Sequence, residues 1–371
     1  MIRLSQLPAR LDRQGIGVCI LCGFMLGSAF VTTTAQEVEP INVDKAGTVQ
    51  GDIPPVPLSD FLSDKIKADL AKALRATRPS MADGVEAVRK SSAERSKQLL
   101  GEWLEIHPAS VEETLIGGVR THVVIPDAGI APENKHRVLI NAHMGGFMLG
   151  GAYGGQLEAV PLAGYGRIKV IAVDYRMAPE HIFPAASEDM ETVYRHVLET
   201  TAPEDVGIYG CSAGGTLTAQ MVPWLLEKGL PLPGAIGIFC SGAMPTFWFG
   251  GDSGAISPFL NGRSPTAAGD SQRLPRDYFH EIETDNPLVT PGQFPELLAQ
   301  FPPTLVVTGT RDIAMSNALI THTRLRSAGV HADLFVQEGL GHGHFFLFPG
   351  TPEAETAYDI IWNFFDRQLA H

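Results

Sequence analysis

The sequence predicts an α/β domain built on a mostly parallel central sheet with helices on both faces. Three observations lead there. The chain has 371 residues, 44% hydrophobic and 19% charged, enough apolar material for a large buried core and unlike a disordered, collagenous or coiled-coil chain. From about residue 110 onward, short β-branched runs alternate with helical segments, the pattern of βαβ units. Several of these runs are almost continuously apolar, as strands covered on both faces must be. The formal net charge of −13, with no basic cluster, suits neither nucleic acid nor an anionic membrane surface.

The first 35 residues stand apart. Arg3, Arg10 and Arg13 precede an apolar run over 15–31, and Thr33-Thr34-Ala35 supplies a small-residue cleavage site. This is the layout of a secretory signal peptide cut after Ala35. An uncleaved anchor helix is the alternative, and the run is short and glycine-containing for that role. The expectation is a periplasmic or secreted protein with no stable membrane anchor after cleavage. Cys19 and Cys22 leave with the leader, so Cys211 and Cys240 remain. That pair can form a disulfide in an oxidising compartment but cannot scaffold a chain of this size.

Residues 36–57 are polar and proline-dotted, an extended lead-in. Helices are predicted over 58–78 and 81–107. Apolar residues recur there at helical spacing: Phe61, Ile66, Leu70 and Leu74, then Val85, Val88, Leu99, Leu100 and Leu104. Strands are predicted over 121–125, 138–142, 169–174, 206–209, 235–239, 304–308 and 332–336. Helices fit between them over 185–200, 213–228, 314–328 and 353–369. The region 243–300, rich in Gly, Pro and aromatics, breaks the rhythm as an insertion between sheet strands.

Gly210-Cys211-Ser212-Ala213-Gly214-Gly215 sits between a predicted strand and a predicted helix. A G-x-S-x-G in that setting is a nucleophile elbow, a sharp turn that lifts the serine hydroxyl clear of the sheet. Small neighbours are needed where strand and helix crowd together, and the helix N-terminus adds partial positive charge beneath the serine. A glycine-rich loop that merely starts a helix is the bland alternative. Cys211 reads as a small neighbour of the elbow rather than a second nucleophile.

Further motifs lie around the elbow: Ile140-Asn141-Ala142-His143-Met144-Gly145-Gly146-Phe147, Asp174-Tyr175-Arg176-Met177-Ala178-Pro179-Glu180, and Phe183-Pro184-Ala185-Ala186. Together with the elbow they resemble, in order, the motifs of the hormone-sensitive-lipase-like family of α/β-hydrolases, which are serine carboxylesterases. The resemblance runs from about residue 138 to the C-terminus. It departs from the family pattern at Met144, in place of the first glycine of an HGGG loop, and at Cys211, in place of aspartate. The resemblance implies an α/β-hydrolase fold with a helical cap, built from about 58–107 and part of 243–300. It also implies an oxyanion hole made by the N–H groups of Gly145, Gly146 and Ala213, with His143 bracing the loop and Met144 shaping the acyl pocket.

By the same resemblance, Asp312 in Thr308-Gly309-Thr310-Arg311-Asp312 orients the catalytic base; an N-cap of the following helix is its structural alternative. His342 in Glu338-Gly339-Leu340-Gly341-His342-Gly343-His344-Phe345 takes the place of the base. A two-residue shift of the alignment would make His344 the base instead; otherwise His344 lies beside it, lining the pocket. No third ligand accompanies the H-G-H spacing, so no metal is expected. Phe247-Trp248-Phe249 reads equally as packing of the insertion and as a hydrophobic wall for substrate.

The function implied is hydrolysis of small carboxylic esters, short acyl chains foremost, through a Ser212–Asp312–His342 triad and an acyl-enzyme, without a cofactor. Amide, carbamate or lactone hydrolysis by the same triad is the alternative within enzymes. A non-catalytic small-molecule receptor is the alternative of another class, and such receptors typically lose the serine or histidine that this chain keeps. The oligomeric state stays open.

Overall fold

A computed structural model describes residues 42, 43, 45, 49, 50, 55–76, 83–151, 153–244, 251–262, 278–280, 282, 283 and 285–369. The expected leader over 1–35, and Phe247 and Trp248, lie outside them. Residues up to Pro55 cluster separately from Val56–His371, and among them β1 (Asn42–Val43) pairs antiparallel with β2 (Val49–Gln50).

The second unit opens with α1 (Asp64–Arg75), α2 (Val85–Ile106), β3 (Ala109–Ile116), β4 (Val119–Pro126) and β5 (Val138–Ala142). There follow α3 (Tyr153–Gly166), β6 (Lys169–Val173), α4 (Ala185–Val197), β7 (Val206–Cys211), α5 (Ala213–Glu227) and β8 (Ala235–Phe239). The chain continues through α6 (Gly251–Leu260), α7 (Pro295–Leu298), β9 (Thr304–Gly309), α8 (Met315–Ser327), β10 (Ala332–Gln337), α9 (His344–Leu347) and α10 (Pro352–Gln368). Eight strands form one sheet in the order β10-β9-β8-β7-β5-β6-β4-β3. Strands β5 to β10 run parallel, and β4 lies antiparallel to both β6 and β3.

The central strands β5, β7, β8 and β9 are buried at every position, which is why their sequences are unbroken apolar runs. Two apolar clusters cover the faces. One joins Val193, Leu217 and Leu325 of α4, α5 and α8; the other joins Trp103, Leu157 and Phe364 of α2, α3 and α10. Among the described residues, β1, β2, β3, α3, α6, α7 and α9 lay outside the expectation, and for two of them the reason is plain. Strand β3 carries exposed Glu112 and Glu113 and pairs only with β4, so it has the charged face of an edge strand and no apolar run. Helix α3 is buried on nearly every side, and its glycines and Pro161 disguise it as loop.

Two expected helices start later than their periodicity suggests. Ser63 caps α1 by accepting the Ile66 N–H at 3.3 Å, and Gly84, at φ 90°, stands where α2 begins. Leu62 and Ile66 pack on Leu340 and Phe348, and Ser63 bonds the Glu353 carboxylate through its N–H at 2.6 Å and its hydroxyl at 2.8 Å. Arg311 donates to the Pro57 carbonyl. The chain around 57–66 thus lies on loops that follow β9 and β10.

Candidate active site

Every candidate residue that the structure describes comes from the carboxyl end of a parallel strand, where open α/β sheets place their ligands. Strand β7 delivers Ser212 onto a turn with φ 60° and ψ −119°, a conformation that a non-glycine residue holds only under constraint. The constraint is visible. A Cβ on Gly214 would lie 1.8 Å from the Ala142 carbonyl oxygen, and one on Gly210 would lie 2.2 Å from the same atom. Both glycines are therefore dictated by the close approach of the elbow to β5. The Ser212 N–H is anchored to the Phe239 carbonyl at 2.8 Å.

Asp312 is fully buried beyond β9. Its Oδ1 accepts from His342 Nδ1 at 2.7 Å and the Ala314 N–H at 2.9 Å, and its Oδ2 accepts from the Thr308 hydroxyl at 2.9 Å. Burial opposes its ionisation, but His342 and the hydrogen bonds outweigh that and hold its pKa below the usual value. The N-cap alternative is present as well, since the Ala314 N–H bond serves the turn entering α8. His342 keeps its side chain 34% exposed, with Nδ1 committed to Asp312.

His344 differs from His342 in each respect. It is 1% exposed, its Nδ1 faces the Gly341 carbonyl at 3.0 Å, and burial pushes its pKa down to about 4. The histidine that the structure brings to the aspartate is His342.

The loop after β5 turns on Gly145, at φ 123°, where a Cβ would meet the Leu149 carbonyl oxygen at 2.1 Å. The Gly145 carbonyl accepts from the N–H groups of Met148 at 3.1 Å and Leu149 at 2.9 Å. The N–H groups of Gly145 and Gly146 lie on this loop, and that of Ala213 opens α5 directly after Ser212. His143 stacks on Tyr175 with ring centres 4.0 Å apart, its Nδ1 meets the Met144 carbonyl at 2.7 Å, and its carbonyl accepts from the Tyr175 hydroxyl at 2.7 Å. Burial lowers the His143 pKa, so the ring is a neutral brace. The methyl of Met144 lies against Gly154 at the start of α3, and its N–H is taken by Glu158 at 2.8 Å.

Three residues around the site had been given no part in it from the sequence. Phe147, at φ 59°, stacks on Tyr278 at 4.5 Å and meets Phe279 edge-on at 5.1 Å, so the insertion grips the loop. Glu158 is buried beneath the loop. Cys240 follows β8, and its sulfur accepts the Gly343 N–H at 3.2 Å, one residue past His342.

Cys211 and Cys240 are both free and buried, and burial pushes both thiols up, which keeps them protonated and poor nucleophiles. Among the described residues, Cys240, Asp312 and His342 form a grouping of metal-type donors, all within 4.8 Å. Within it, Asp312 and His342 are already bonded to each other, Oδ1 to Nδ1. A cleft of about 390 Å³ lined by Arg89, Arg120, Asp174, Arg176 and Glu180 opens beside residues 149–151, but Ser212, Asp312 and His342 do not border it. Its arginines are engaged by Glu180, Asp174 and Asp189. No helix among the described residues is long and apolar enough to cross a membrane.

This geometry has relatives. The alpha/beta hydrolase fold family matches residues 139–346, from β5 to the loop past His342. The esterase LipI of Mycobacterium tuberculosis is 28% identical over 296 residues, 76% of this chain and 87% of that protein. An acetyl-hydrolase of Streptomyces hygroscopicus is 27% identical over 236 residues, 62% of this chain and 75% of that one. The crystal structure of an esterase, E25, superposes with a TM-score of 0.75 at 30% identity, covering 86% of this chain and 99% of its own. The chain belongs to the α/β-hydrolase family, within the hormone-sensitive-lipase-like group that its motifs resemble.

Proposed function

We propose that this protein is a serine esterase that cleaves small carboxylic esters with short acyl chains. Ser212 attacks the ester carbonyl while His342 takes its proton, and Asp312 fixes the imidazole tautomer and stabilises the imidazolium. The carbonyl oxygen gathers negative charge against the N–H groups of Gly145, Gly146 and Ala213. His342 returns the proton to the departing alcohol, leaving an acyl group on Ser212. Water then attacks that acyl-enzyme by the same steps in reverse, and no step calls for a cofactor or metal.

The observation that carries this reading is the 2.7 Å His342–Asp312 bond at the same sheet edge as a serine held at φ 60°. The relatives named esterase and acetyl-hydrolase support an ester substrate and a short acyl group. The segment 57–66, seated on the strand-end loops, and Arg89 near the start of α2, bonded to the Met148 carbonyl, support a cap built partly from 58–107, although Leu99, Leu100 and Trp103 farther along α2 join the apolar cluster on a sheet face. The leader-like residues 1–35 support export.

The test is direct. The mature protein should turn over p-nitrophenyl acetate and take a fluorophosphonate label that Ser212→Ala abolishes. A folded wild-type protein that neither turns over esters nor accepts the label is a binding protein instead.

A further inference from the structure

Glu158 has no task in the reaction just described, yet it is 1% exposed and meets no cation among its hydrogen-bond partners. All three partners of its carboxyl group are N–H donors. Oε1 accepts from the backbone of Met144 at 2.8 Å. Oε2 accepts from the backbone of Cys211 at 3.1 Å and from Asn141 Nδ2 at 3.2 Å. The Tyr209 hydroxyl also donates to the Glu158 carbonyl at 3.2 Å, so α3 is pinned to β7 at this turn.

The positions of these donors matter more than their number. The ladder between β5 and β7 runs from Val138↔Val206 to Ala142↔Gly210 and stops there. Immediately past its end, the β7 chain passes through Cys211 into Ser212, and the β5 chain passes through His143 and Met144 into Gly145 and Gly146. The proposed oxyanion donors therefore sit on two segments whose spacing this ladder no longer fixes. Donors must come within about 2.7–3.1 Å of one oxygen to stabilise it. The two oxygens of Glu158 span the gap, one bonded to each segment, at the residue directly before Ser212 and at the residue directly before Gly145.

We infer that Glu158 is a positioning residue that ties the oxyanion loop to the nucleophile elbow and so sets the geometry in which the tetrahedral intermediate is held. The inference rests on the esterase reading above. A carboxyl group suits the task because both of its oxygens can accept, whereas glutamine must turn an NH2 toward one of the two backbone N–H groups. Burial pushes the Glu158 pKa up to about 8, against the pull of its three donors.

The experiment compares wild type, Glu158→Gln, Glu158→Asp and Ser212→Ala in p-nitrophenyl acetate hydrolysis, in inhibition by phenylboronic acid and in thermal melting. Phenylboronic acid is chosen because its adduct with serine mimics the tetrahedral intermediate. For Glu158→Gln the expected result is a kcat lower by about 10- to 100-fold, with KM within about twofold. The boronate inhibition constant should rise in step with the loss of kcat, while the protein still melts cooperatively. Glu158→Asp keeps the acceptors but draws them back, and should fall between glutamine and wild type.

A kcat within twofold of wild type overturns the inference, as does a lower kcat with unchanged boronate affinity, the mark of a merely structural residue. Should the glutamine variant fail to fold, an aspartate variant indistinguishable from wild type in kcat and boronate affinity overturns it equally. Ser212→Ala separates the two levels. If it retains full turnover, the esterase reading fails; if it is inactive while Glu158→Gln is unaffected, only the role of Glu158 fails.

Discussion

Two histidines two residues apart, His342 and His344, should respond to the same substitution in opposite ways. His342→Ala removes the group bonded to Asp312 at 2.7 Å, and with it the acceptor of the serine proton. Loss of a triad member lowers kcat by roughly 10³-fold or more, about 4 kcal/mol of transition-state stabilisation. The fold should tolerate the change, because the side chain is 34% exposed and Asp312 keeps its donors from Thr308 and Ala314. His344→Ala empties a site that is 1% exposed and removes an edge-on contact with Phe345 at 5.5 Å. A buried ring truncated in this way costs about 2–4 kcal/mol, several degrees of Tm in a protein of this size. Its kcat should stay within about tenfold of wild type, since the ring has no bond to the acid. The assays are steady-state p-nitrophenyl acetate kinetics and urea unfolding on the same preparations. A variant set in which His344→Ala is inactive but stable, and His342→Ala active but destabilised, would refute the assignment of the base.

Burial and close packing elsewhere in the molecule set further expectations. The folded-state pKa of His344 is about 4 against 6.5 for the free group, so between these values the unfolded chain binds a proton that the folded chain does not. Stability must therefore fall as pH drops from 6.5 toward 4, by up to about 3 kcal/mol from this residue. Urea midpoints at pH 7.5 and 5 should show a smaller acid loss for His344→Leu than for wild type, and an equal loss contradicts the claim. Gly214→Ala places a Cβ 1.8 Å from a backbone oxygen that cannot yield, and should cost more than about 3 kcal/mol, seen as insoluble or unfolded protein on expression. Trp103→Phe deletes the buried Nε1–H bond to the Phe346 carbonyl at 2.9 Å and should lower stability by about 1–3 kcal/mol in urea titration; no change would mean that the bond is dispensable.

What the sequence disclosed follows from how locally each feature is determined. Strands β5 to β9 were legible because burial on both faces forces apolar runs that need no partner to be recognised. Strand β3 was not, since an edge strand with Glu112 and Glu113 outward has no such run. Helix α3 was hidden by the reverse condition: surrounded by protein, it needs no polar face, and helical periodicity vanishes. Ser212 was legible because the elbow imposes Gly210 and Gly214 on its own neighbours, whereas His342 and Asp312 were reached only through the family resemblance of the motifs that follow their strands. Glu158 was not, because nothing near it in the chain reveals that its carboxyl reaches Met144 on one side and Cys211 on the other. The stack of Phe147 on Tyr278 is likewise a contact between distant segments, one of them in an insertion without periodicity.

The strand order β10-β9-β8-β7-β5-β6 carries a consequence for how the protein comes into being. Beyond β6, each new parallel strand adds to the same growing edge in the order in which it is translated. The serine is thus placed in the middle of synthesis, whereas its acid and its base arrive with the last two strands. A nascent chain that has completed β7 already carries Ser212, while the proposed acid and base, Asp312 and His342, are still to come. Non-local pairing of this kind is completed late. On the mechanism proposed above, ester cleavage must wait for the arrival of the chain's own final segment.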